Sequence, residues 1–148
     1  MSINKQLFSN NKFKPVIDRV KKINKWSNEK VELVLKEYER FMTLIKLYPE
    51  YSFVPCNDVD EIWHTHLIYT KLYKNFCDQV FGFFLHHNPL ITEEDGIRMA
   101  SGYDKTLEIY KQHFGIDPDC NIWNVNHSED MCEGGTGGCN DGRGWGSN

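Results

Sequence analysis

The chain has 148 residues and a mass of 17.4 kDa, a size that suits one domain rather than two. A composition of 40% hydrophobic, 26% charged and 14% aromatic residues excludes disorder of the whole chain and can fill a substantial core. Residues 1–50 carry eleven Lys/Arg against six Asp/Glu, a balance of +5, and residues 51–148 carry six against fifteen, a balance of −9.

The opening stretch, MSINKQLFSNNKFK, is polar and basic and lacks the apolar segment of a secretory signal. Pro15 suits the first turn of a helix, and Val16, Ile17, Val20 and Ile23 recur at helical spacing to about Asn24. Ser27 is placed to cap a second helix, whose stripe runs Val31, Val34, Leu35, Tyr38, Phe41, Met42 and Ile45 and ends near Pro49. Across these two helices Lys21, Lys22, Lys25, Lys30 and Lys36 interleave with Glu29, Glu32, Glu37 and Glu39. That mixture reads as a solvated face rather than a phosphate-binding surface, so nucleic acid is not expected as a partner.

An extended connection over residues 50–57 contains Pro55, after which Asp58 is expected to cap a long third helix reaching Phe81 and stopped by Gly82. The longest apolar stretch, residues 80–85, falls far short of the roughly 20 residues that cross a membrane. A short crossover with His86, His87 and Pro89 follows. Thr92 with Asp95 then resembles a capping box for a fourth helix, which runs to Phe114 with Ile97, Tyr103, Leu107, Tyr110 and Phe114 as buried candidates. No segment shows the period-2 alternation of a strand. The expected fold is all-α, a compact bundle of about four helices over residues 1–115.

Residues 116–148 form an irregular tail that becomes glycine-rich from Cys132. Ile122 and Trp123 are its two candidates for anchoring back onto the helices. The five cysteines are odd in number and irregularly spaced, so thiols are expected rather than a disulfide framework, as suits a cytoplasmic protein. Cys56 and Cys77 read as core thiols. Cys120, His127, Cys132 and Cys139 are soft ligands, but their spacing matches no short C-x2-C zinc knuckle.

The chemistry concentrates in Val59-Asp60-Glu61-Ile62-Trp63-His64-Thr65-His66. On a helix, Asp60 and His64 form an i, i+4 pair on one face, near enough to hold one ion or share a proton. His66 lies about 160° around the axis from His64 and reads as a buried histidine bonded to a neighbour. A third ligand must come from elsewhere, and the crossover supplies His86 or His87. Two histidines and one carboxylate suit zinc in a hydrolytic site or iron in an oxygen-using one, with positions left for water and substrate. The competing reading has Asp60 capping or pairing and His64 merely bonded to it.

The run VPCNDVDEIWHTHLIYTKLYKNFCDQVFGFFLHHNP resembles the glycine-rich domain-containing protein-like family of plants and bacteria. The resemblance rests on Val54-Pro55, Val59-Asp60, Trp63-His64, His66, Tyr73, Cys77, Phe81-Gly82 and His87-Asn88-Pro89. Tyr103, Thr106, Tyr110 and Phe114-Gly115 fit more loosely. The resemblance selects His87 over His86 and implies no reaction, since the family name describes composition.

The expectation is therefore a small helical protein with a mononuclear site of Asp60, His64 and His87 for a divalent transition metal (iron, zinc or copper). His66, His86, Tyr73 and Cys77 are candidates for its outer surroundings, and small molecules or a peptide are candidate partners. The alternative is a non-enzymatic interaction module in which the same side chains form a structural hydrogen-bond network.

Overall fold

A computed structural model of the chain describes residues 8, 11–88 and 92–125. Among the described residues lie five helices and no strand: α1 (Lys14–Asn24), α2 (Asn28–Leu47), α3 (Asn57–Ile68), α4 (Thr70–Val80) and α5 (Glu93–Phe114). The all-α expectation is met. None of the described helices is long and apolar enough to cross a membrane. The stretch from Cys132 onward, with His127 and Cys139, lies outside the described residues.

Local chemistry accounts for most helix ends. Pro15 sits in the first turn of α1, whose missing N–H costs nothing there. Ser27 Oγ accepts the Lys30 N–H at 3.1 Å and starts α2. Thr92 and Asp95 close a reciprocal box on α5: Asp95 N–H donates to Thr92 Oγ1 at 3.2 Å, and Thr92 N–H donates to Asp95 Oδ2 at 2.9 Å. Gly82 (φ 76°) and Gly115 (φ 69°) take the left-handed turns that follow α4 and α5.

The expected third helix differs. It begins at Asn57, so Asp58 lies in its first turn instead of capping it, and it breaks at Tyr69 (φ −85°, ψ 74°) into α3 and α4. Neither glycine nor proline stands at the break, so its cause lies in what the flanks bury. Ten residues of straight helix would separate positions 63 and 73 by about 15 Å. Instead Trp63 Nε1–H donates to the Tyr73 hydroxyl at 3.0 Å, and the rings of His66 and Tyr73 meet edge to face at 5.0 Å.

The chain packs as two units, the first from Met1–Tyr51 and Val59–His86 and the second from Ser52–Asp58 and His87–Asn148. In the first, α1 buries Val16 and Val20, α2 buries Val31, Val34, Tyr38, Phe41, Met42 and Leu44, and α4 buries Tyr73, Phe76, Cys77 and Val80. Glu37, expected on the solvated face, is instead buried, with its carboxylate 2.8 Å from the Arg40 guanidinium. Ile23, at the end of its stripe, stays exposed.

In the second unit the extended segment 52–58 is tied to α5. Val54 N–H donates to Thr106 Oγ1 at 2.9 Å, and that hydroxyl donates to the Gly102 carbonyl at 2.7 Å. A Cβ at position 102 would come within 2.9 Å of Val54 Cγ2, so glycine is required by the close approach. Ile122 and Trp123 are buried, as expected of an anchor, and the Trp123 ring lies 6.2 Å from Tyr103 and 5.8 Å from Tyr110. Ile97, expected to be buried, is 73% exposed, because α5 makes its interior contacts further along, at Tyr103, Thr106, Ile109 and Tyr110.

Candidate metal centre

Asp60 and His64 face the same way from α3, one turn apart, with His64 Nε2 3.5 Å from Asp60 Oδ2. That is too long for a strong hydrogen bond. It matches the separation of two donors that share one small cation, which for ligand bonds near 2.1 Å and tetrahedral angles is about 3.4 Å. Both side chains are mostly but not wholly covered, at 14% and 21% exposure. One peptide bond beyond His86 stands His87, also partly covered. One ligand atom each from Asp60, His64 and His87 lies within 4.8 Å of the other two. His86 is exposed, its ring against Phe84 at 4.9 Å, and it does not join this group.

His66 is fully buried and points elsewhere. Its Nδ1 lies 2.8 Å from the Tyr38 hydroxyl, and its ring is boxed by Phe13, Tyr73 and Phe76 at centroid distances of 4.9, 5.0 and 5.0 Å. Burial lowers its pKa to about 3, so the imidazole is neutral near pH 7. Burial, with Tyr73 and Cys77 close by, raises the Tyr38 phenol well above its ordinary value. Tyr38 therefore keeps its proton and shares one hydrogen bond with Nδ1, while Nε2 has no hydrogen-bond partner among the described residues. The reading of His66 as a buried, bonded histidine holds. Its partner, Tyr38, was legible only as one member of an apolar stripe.

Tyr73 and Cys77 are buried one turn apart on α4. The Tyr73 hydroxyl accepts from Trp63 and donates to the Leu85 carbonyl at 2.5 Å. Burial raises the pKa of both side chains, so each stays protonated and acts as a neutral hydrogen-bonding group. Leu85 takes part through its backbone alone, and no residue-type pattern could have flagged it. Cys56 and Cys77 are buried thiols, as expected. Cys120 departs from the thiol expectation in being disulfide-bonded, which removes its sulfur from the soft-ligand set.

The UCP032817-like family model matches residues 1–121. Glycine-rich domain-containing protein 1 of Arabidopsis thaliana is 32% identical over 83 residues, and glycine-rich domain-containing protein 2 of the same plant is 31% identical over 83 residues. Each match covers 53% of this chain and 10% of the relative, so the chain spans about a tenth of the length of the curated relatives it matches. No solved structure matches significantly.

Proposed function

This chain belongs to the UCP032817-like family, and we propose that it is a metal-binding protein in which Asp60, His64 and His87 hold one divalent transition-metal ion. The observation that carries this reading is the approach of three ligand atoms of suitable chemistry to within 4.8 Å of one another. Two imidazoles and a carboxylate fit zinc or iron, with copper next, and leave coordination positions for water or a small substrate. An ion held there would lower the pKa of bound water or polarise a substrate oxygen. The carboxylate would offset its charge, and the half-covered setting gives a small molecule access. The interleaved charges of the first two helices argue further against a nucleic-acid partner.

A second reading has one observation in its favour. Phe83 and Phe84 are 56% and 43% exposed on the segment that leads to His87. Such a pair suits a module that docks a peptide, with the Asp60, His64 and His87 side chains as structural neighbours.

Elemental analysis separates the two. Untagged protein purified without added metal should carry about one equivalent of zinc, iron or copper. Asp60→Ala and His64→Ala should lose it while retaining the helical circular dichroism of the parent. A parent that stays metal-free after reconstitution with each ion would overturn the metal reading and leave the docking module as the better account.

A further inference from the structure

The three proposed ligands are not held equally well by the fold. Asp60 and His64 share a helix, so their spacing follows from helical geometry. His87 has no such support, for residues 81–88 form no regular secondary structure. Something else must restrict the backbone that presents it.

Two residues before His87, the Leu85 backbone is engaged by a side chain: its carbonyl accepts from the Tyr73 hydroxyl at 2.5 Å. The Tyr73 oxygen also accepts from Trp63, the immediate neighbour of His64. One hydroxyl therefore links the helix that carries His64 to the segment that carries His87.

We propose that Tyr73 is a positioning residue for the metal site: its hydroxyl, held by the Trp63 indole, clamps the Leu85 carbonyl and thereby presents His87 to the ion. This inference rests on the metal reading above. Without the clamp the segment samples other backbone conformations, and the third ligand must be ordered at the moment of binding. Losses of about 10- to 100-fold in affinity are usual when residues that orient a ligand are removed.

The test is a cycle of zinc titrations, against a competing chromophoric chelator, on full-length parent, Tyr73→Phe, His87→Ala and the double variant. Tyr73→Phe should weaken zinc binding by about 10- to 100-fold in the parent. In the His87→Ala background the same substitution should change affinity by less than about twofold, since no third ligand remains to be positioned. Trp63→Phe, which removes the indole donor that holds the same hydroxyl, should show the same non-additivity with a smaller loss when carried through the same cycle, and it serves if Tyr73→Phe does not fold. Parent-like binding by Tyr73→Phe, or an equal loss in both backgrounds, would overturn the clamp while leaving the metal reading intact. Failure of the parent itself to bind zinc, iron or copper would overturn the metal reading and the clamp with it.

Discussion

The two units of this chain satisfy their buried polar groups in different ways. In the first, besides hydroxyls that donate to backbone carbonyls at Thr43, Thr65 and Tyr73, ring meets ring: Tyr38 with His66, and Trp63 with Tyr73. In the second, Thr106 serves backbone at both ends, taking the Val54 amide and giving to the Gly102 carbonyl. The first arrangement fixes the orientation of rings, and any charge placed among them is costly. The second fixes the path of a segment without dictating ring orientation.

Acid should expose the difference most strongly. His66 has its pKa lowered by burial to about 3 in the folded chain, against an ordinary value near 6.5. Between those values the unfolded chain binds the proton that the folded chain refuses. Stability therefore is intact above about pH 6.5, falls as the pH drops from there toward about 3, and loses on the order of 5 kcal/mol in full. The groups that titrate around the ring are Tyr38 and Tyr73, and neither offers negative charge in that range. Urea unfolding at a series of pH values should show this slope, and His66→Phe should flatten it. A parent whose stability over pH 3–6.5 tracks that of His66→Phe would break the contrast.

In the second unit the largest effect should come from packing. Trp123 is fully buried against Tyr103 and Tyr110, and Trp123→Ala should cost about 3–5 kcal/mol in urea unfolding. A cost below about 1 kcal/mol would show that residues 122–123 rest on α5 without supporting it. Smaller still, Thr106→Val keeps the side-chain shape but leaves the Val54 amide without its acceptor. It should cost about 1–3 kcal/mol, with little change in the acid slope that His66 controls. An altered acid slope in Thr106→Val would mean that the two modes of satisfaction are not independent.

What could be read from the sequence follows the same division between local and distant causes. Pro15, Ser27, Thr92 with Asp95, and Gly82 act on backbone within a few residues, and each marks the helix end it was expected to mark. The i, i+4 pairing of Asp60 and His64 was equally legible, since a helix repeats within a turn. The break at Tyr69 was not, because its cause is the meeting of Trp63, His66 and Tyr73 across it. Glu37 sits among apolar positions of α2 and follows the helix inward with Arg40, although its type suggested solvent. Leu85 contributes a backbone carbonyl that any residue could supply, and so it left no trace in the sequence.

The elbow at Tyr69 has a consequence for how this shape is inherited. Because no special residue stands at the corner, substitutions there can drift while the angle persists. The corner is written instead in Trp63 and Tyr73, six residues before it and four after. Lineages of this chain should therefore preserve the bend by preserving that pair, and a change at either would straighten a turn it does not occupy.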